Sequence, residues 1–271
     1  MAALRRNNVK VSGTGGVPML FAHGFGCEQH MWRWITPAFE HSHRVVQFDH
    51  VGAGGSDQAA YDRRKYGTLE GYTDDVLEIC AELDLQDTIF VGHSVSAMIG
   101  VLAALREPRR FSHLVLVGPS PRYVNDGDYD GGFSRPEIDQ LLNFLETNHL
   151  GWSMAMAPVI MGVQDSQAPA QELADSFCRS DPAIARDFAR VTFLSDNRAD
   201  LLRLRTPTLI LQCRDDAIAP LAVGNYVHQH IEGSQLELLE ATGHCPHMSA
   251  PQETVAAIKA YLARFAGART P

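Results

Sequence analysis

The sequence predicts an α/β fold: a mostly parallel sheet flanked by helices, with a block of further helices inserted into it. Three observations carry this. Short runs of branched aliphatic residues recur along the chain, longer segments with helical spacing separate them, and the alternation breaks once, between about Pro119 and Leu202. Strand then helix, repeated, is the pattern of a parallel sheet covered by helices.

The aliphatic runs are Val17–Phe21, Arg44–Phe48, Thr88–Val91, Leu114–Val117, Thr208–Gln212 and Leu236–Leu239. Each is too short for a helix and is expected as a strand buried on both faces, where apolar–polar alternation disappears. Helical spacing runs from Leu69 to Leu83, from Met98 to Leu105 and from Thr254 to Phe265. Ser249 is expected to cap the last of these, with Gln252 three residues on and Pro251 in the first turn. The break opens with a Gly/Asp-rich loop, Asn125–Gly132, and continues as amphipathic helical stretches without strands between them. It is expected as a helical lid over residues 120–201, inserted within a single domain of residues 1–271.

Composition bounds the function. The 271 residues are 45% hydrophobic and 20% charged, enough apolar side chain for a sizeable core and unlike a disordered chain. A net charge of −9 without a Lys/Arg cluster argues against nucleic acid or an anionic membrane as partner, leaving a small or neutral one. No apolar run approaches the roughly 18–20 residues of a membrane span. The N-terminus carries Arg5 and Arg6 but no apolar segment of signal-peptide length, so a cytoplasmic location is expected. Cys27, Cys80, Cys178, Cys213 and Cys245 are odd in number, scattered and without a C-x-x-C pair, which fits reduced thiols. Cys245 stands out because it adjoins a candidate catalytic histidine, although a small, semi-buried filler residue is the plainer reading.

In an open parallel sheet, ligands bind beyond the carboxyl ends of the strands. The loop after Thr88–Val91 reads Gly92-His-Ser94-Val-Ser96-Ala97 and leads directly into a helix. This is a nucleophile elbow, G-x-S-x-G, with serine in place of the last glycine; small residues flank the nucleophile because the tight turn crowds its neighbours. A serine hydroxyl needs a base, and the base an orienting carboxylate. Both follow later strands in the order this fold expects: Asp216 in Cys213-Arg-Asp-Asp216-Ala-Ile-Ala-Pro220, and His244 in Ala241-Thr-Gly-His244-Cys-Pro-His247. Asp216 is favoured over Asp215 because it stands four residues before Pro220, where the next helix begins. His244, directly after the strand-end glycine, is favoured over His247. No metal is expected there, since the two histidines lack a third ligand at sensible spacing.

The loop after the first run, His23-Gly-Phe25-Gly26, supplies a second oxyanion donor, so the N–H groups of Phe25 and Val95 are expected to converge on the developing charge. His23 is expected to brace this loop by hydrogen bonding. The pairs His41/His43 and His228/His230 are expected as surface histidines. The cluster Gly52-Ala-Gly54-Gly55-Ser56-Asp57 is not G-x-G-x-x-G, and its flanking acids Asp49 and Asp57 would repel a pyrophosphate; a tight structural turn is expected.

Taken together, His23–Gly26, Asp49–Asp57, Gly92–Ala97 and Pro119-Ser-Pro-Arg-Tyr-Val-Asn-Asp126 closely resemble the small α/β-hydrolases that include the bacterial stress regulator RsbQ and the plant karrikin and strigolactone receptors. The likeness runs from about Asn8 to Phe265, and serine at position 96 is the form this subgroup uses. The resemblance implies the same triad and an α/β-hydrolase fold with a four-helix lid, arranged as two V-shaped hairpins over an apolar cavity. Phe133, Trp152, Met156 and Phe193 should line that cavity by position, with Phe25 and Val95. It further implies a small apolar ester or lactone as ligand, no metal or organic cofactor, and either ordinary esterase turnover or slow ligand sensing coupled to a regulatory protein partner.

Overall fold

A computed structural model of the chain describes residues 2–162 and 168–266. The expected domain and lid both extend over residues outside these. The described elements run α1 (Ala2–Arg6), β1 (Lys10–Ser12), β2 (Val17–Ala22), β3 (His43–Phe48), α2 (Leu69–Glu82), β4 (Thr88–His93), α3 (Val95–Arg106) and β5 (Phe111–Val117). There follow α4 (Arg135–Thr147), α5 (His149–Met161), α6 (Ala168–Arg179), α7 (Pro182–Leu194), α8 (Arg198–Leu201), β6 (Thr208–Asp215), α9 (Leu221–His230), β7 (Gln235–Thr242), α10 (Pro246–Ser249) and α11 (Pro251–Ala266).

Among the described residues the strands form one seven-stranded sheet, ordered β1-β3-β2-β4-β5-β6-β7, in which β1 alone is antiparallel. Successive side chains alternate between the two faces. Leu20, Phe90, Leu114, Leu116 and Ile210 pack with α2, α3 and α9, while Met19, Phe21, Val91, Val115, Val117 and Leu211 pack with Trp32, Phe39 and the α11 residues Ile258 and Tyr261. Both faces are covered, so the central strands are apolar throughout; every residue of β4 is buried.

Two edges depart from expectation. β7 is not buried on both faces: only Leu239 in it is fully buried, because this strand has a neighbour on one side alone. β1, three largely exposed residues paired to β3, had no aliphatic signature to announce it. Ser249 does not cap the last helix. It ends α10, which Pro246 starts, and its hydroxyl turns back onto the carbonyls of Thr242 and Cys245.

The lid lies between β5 and β6 as α4–α8. Its helix starts are written locally: Ser134 and Glu137 form a capping box at α4, Asn148 accepts from Gly151 N–H at α5, and Asp181 accepts from Ala183 and Ile184 N–H at α7, where Pro182 leads the helix. The four expected helices are α4–α7, joined by the one-turn α8. Their packing runs α7 on α4, α4 on α5 and α5 on α6. No helix among the described residues is long and apolar enough to cross a membrane.

Candidate active site

The nucleophile sits where the sheet hands the chain to a helix. Ser94 lies between β4 and α3 at φ 56° and ψ −122°, a region that L residues rarely occupy and that costs on the order of 1–3 kcal/mol. Small neighbours make the turn possible: a Cβ at Gly92 would lie 2.5 Å from Ser96 O, and one at Gly24 would lie 2.5 Å from His93 Nδ1. The distortion lifts Ser94 Oγ clear of the helix, and its own N–H is held by Val117 O at 2.8 Å.

Ser94 Oγ lies 2.7 Å from His244 Nε2, and His244 Nδ1 lies 2.7 Å from Asp216 Oδ2. The second oxygen of Asp216 accepts from the N–H groups of Ile218 (2.8 Å) and Ala219 (3.0 Å), so the carboxylate is fixed from behind. Burial pushes the Asp216 pKa up, but the His244 ring and the two N–H donors outweigh it and hold the acid below its usual range. A charged acceptor at Nδ1 sets the tautomer that leaves Nε2 free to take the serine proton. Because Ser94 gives its only proton to Nε2, Tyr123 OH, 3.2 Å away, is left to donate to Ser94 Oγ. Burial raises the Tyr123 pKa to about 12, which keeps this donor neutral.

Asp215, by contrast, is exposed at the end of β6 and uses its carbonyl to hold Gly243 N–H. His247 is buried against the rings of Trp32 and His93, at centroid distances of 4.4 and 4.5 Å, and neither of its nitrogens has a hydrogen-bond partner among the described residues. The lid touches the catalytic loop directly, with His244 N–H bonded to Ile160 O of α5 at 2.6 Å.

The elbow and the loop after β2 are bolted together by three buried side chains. Ser96 Oγ donates to His23 O at 2.5 Å and accepts from His50 Nε2 at 2.8 Å. His50 N–H in turn bonds His23 Nε2 at 3.1 Å, and His23 Nδ1 donates to Gly24 O. His23 therefore braces its loop, and the serine at position 96 has a use that glycine could not serve. Burial lowers the pKa of both histidines, keeping them neutral. The Phe25 and Val95 N–H groups donate no hydrogen bond among the described residues; Val95 opens α3, whose first N–H groups have no partner within the helix.

A cavity of about 30 Å3 adjoins Ser94, lined by Phe25, Trp152, Met156, Ile160, Leu173 and Phe193 together with Tyr123, Thr192, Ile218, Cys27, His93, His244 and Cys245. Two expected lining residues are elsewhere. Phe133 pairs by a backbone bridge with Val124 before α4 and packs at the margin of the lid core, and the Val95 side chain is buried in the core under α3. Cys245 is fully buried, not semi-buried. The sequence offered no signal for Tyr123 or His93 as site residues beyond their places in the two motifs. A more open surface groove of about 420 Å3, between Gly67–Glu70 and Leu194–Asn197, is lined by none of these residues.

The remaining motifs are structural. Asp49 accepts from Gln29 N–H, the Gln29 side chain, Asn8 and Gly55 N–H, tying down the glycine turn that follows it. His43 bonds Ser42, His228 bonds Ser234 and His230 stacks on Tyr226, all partly buried, and His41 is exposed. Each of the five cysteines is a free thiol.

Residues 17–251 match the family model described as the alpha/beta hydrolase fold. The chain is 39% identical over 258 residues to strigolactone esterase D14 of Arabidopsis thaliana, covering 95% of this chain and 96% of that one. It is 38% identical over 250 residues to karrikin insensitive 2 receptor CA of Petunia hybrida, covering 92% and 93%. Among solved structures, a hydrolase from Oleispira antarctica superposes with a TM-score of 0.94 at 40% identity, covering 96% of both chains. With the fold, the Ser94–His244–Asp216 geometry and these relatives agreeing, the chain belongs to the α/β-hydrolase family and carries that family's serine-hydrolase triad.

Proposed function

We propose that the protein hydrolyses small hydrophobic carboxyl esters or lactones through an acyl-enzyme on Ser94. The observation that carries this is the unbroken chain from Asp216 through His244 to Ser94 Oγ, opening onto a cavity walled by Phe25, Trp152, Met156 and Phe193. Ser94 Oγ attacks the carbonyl carbon as His244 Nε2 takes its proton, and Asp216 stabilises the imidazolium. The oxyanion lies between the N–H groups of Phe25 and Val95, each such donor being worth about 3–4 kcal/mol in comparable sites. His244 returns the proton to the leaving alkoxide. Water activated by the same histidine then releases the acid and restores the serine. No step uses a metal or an organic cofactor.

A cavity of about 30 Å3 holds little more than a water molecule, so the lid side chains must yield to any substrate, and short acyl groups are favoured. The identity to a strigolactone esterase and to a karrikin insensitive receptor supports a second reading, slow ligand processing that engages a regulatory protein partner. Five free thiols support residence in the reducing cytoplasm.

The test is hydrolysis of short-chain p-nitrophenyl esters and a simple butenolide by the wild type and Ser94→Ala. Turnover by the wild type alone supports the proposal, and its rate separates an esterase from a sensor. Equal inactivity of two folded proteins would sink it.

A further inference from the structure

Cys27 in the loop after β2, His93 at the end of β4 and Cys245 after β7 meet beside the triad, yet hydrolysis uses none of them. All three are buried, and all three line the catalytic cavity. Their two sulfurs and a ring nitrogen lie within 4.8 Å of one another. We propose that this cluster binds one thiophilic divalent cation, of the zinc and cadmium class, and that occupancy shuts off hydrolysis.

The donor set is chemically apt, since two thiolates and an imidazole are soft to borderline ligands that select such ions. Tetrahedral zinc, with bonds of about 2.3 Å to sulfur and about 2.05 Å to nitrogen, places donors roughly 3.6–3.8 Å apart. Cys245 Sγ is already 3.8 Å from His93 Nε2. Since no donor pair exceeds 4.8 Å, closing the site takes shifts of about 0.5 Å per atom. Because all three residues line the cavity, a water drawn from it would fill the fourth position.

Protons and charge balance. Each thiol loses its proton to solvent, and two thiolates neutralise the divalent ion, leaving no net charge in a buried place. His93 Nε2 donates to His244 O at 2.9 Å, while Nδ1 is buried without a hydrogen-bond partner among the described residues. Coordination through Nε2 moves the ring proton to the vacant Nδ1 and releases the carbonyl of His244. The catalytic base thus loses a backbone anchor while the ion takes up space beside Ser94, and both effects stop turnover.

The experiment titrates the full chain, kept reduced by a phosphine, with cadmium alone and follows the ultraviolet sulfur-to-cadmium charge-transfer band. The proposal expects saturation at one ion per chain, release of two protons, displacement by zinc and a parallel loss of any ester turnover. Cys27→Ser and Cys245→Ser should each lose at least half of the band and weaken binding a hundredfold or more. Cys178→Ser, at a half-buried thiol outside the cluster, should keep the band whole. Absence of a saturable band, a band unchanged in the two cluster variants, or one lost in Cys178→Ser overturns the proposal. Should one cluster variant fail to fold by circular dichroism, the other variant and the wild-type stoichiometry decide. The band does not depend on catalysis, so it reads the ion site even in a protein that hydrolyses nothing.

Discussion

Ser96→Ala isolates the bolt between the elbow and the loop that presents Phe25. The hydroxyl donates to His23 O and accepts from His50 Nε2, and all three residues are fully buried. Its removal strands a carbonyl and an imidazole N–H, each costing about 1–3 kcal/mol when left unsatisfied. His50 cannot escape by changing tautomer, because its Nδ1 has no hydrogen-bond partner among the described residues either. The expected loss is therefore about 2–6 kcal/mol, or roughly 4–20 °C in Tm for a chain of this size. Catalysis should suffer separately. His23 O is two residues from the Phe25 N–H, the proposed oxyanion donor, and under that proposal a loosened loop forfeits part of a donor whose complete loss costs about 100- to 1,000-fold in kcat. A drop of about tenfold in kcat is expected, with KM nearly unchanged and weaker binding of a boronic acid that mimics the tetrahedral intermediate. Ser96→Gly, which restores the common pentapeptide, should behave like Ser96→Ala. The assay pairs thermal melting with p-nitrophenyl butyrate kinetics, and wild-type Tm and kcat in Ser96→Gly would refute the reasoning.

Asp216→Asn keeps the shape of the acid but turns an amide toward His244 Nδ1, favouring the wrong tautomer; kcat should fall about 10,000-fold with little change in Tm, and a loss under tenfold would contradict the assigned role. Trp152→Phe removes an indole whose buried Nε1 has no hydrogen-bond partner among the described residues, so it should cost no more than about 2 kcal/mol while shifting the preference toward longer acyl chains; an unchanged chain-length profile in a comparison of p-nitrophenyl esters would place Trp152 outside the substrate path. His23, His50 and His247 are neutral in the folded protein because burial lowers their pKa below 6.5. Below that pH the unfolded chain binds more protons, so the stability they permit is complete above 6.5 and drains as pH falls toward the folded values, by up to about 1.4 kcal/mol per histidine per pH unit. Melting at about pH 7.5 and pH 5.5 should show a marked fall in Tm, and a flat profile would mean that one or more of these rings is charged or exposed.

How much of this was legible in the sequence depended on whether the cause was local. Thr88–Val91 and Leu114–Val117 announced themselves because their strands have covered faces on both sides, which demands aliphatic residues without a break. The triad was legible because each member directly follows a strand, and parallel strands end on one edge of the sheet. Lys10–Ser12 left no trace, since a short edge strand has only one partner and needs no apolar run. Ser249 misled because an earlier proline, Pro246, starts a separate turn and takes the serine for its own end. Phe133 lay close in sequence to the lid helices, but a backbone bridge to Val124 fixes it outside the cavity wall. Tyr123, the Ser96–His50–His23 bolt and the Cys27–His93–Cys245 cluster arise from contacts between distant segments, which no local pattern encodes.

The central claim is that Ser94 is the activated nucleophile, and labelling by a fluorophosphonate, which forms a stable bond to such a serine, tests it most directly. Intact-mass measurement and peptide mapping should find one adduct per chain on Ser94, formed in step with loss of ester turnover and absent from Ser94→Ala. A folded protein that takes up no label, or takes it on another residue while Ser94 stays free, would contradict the account.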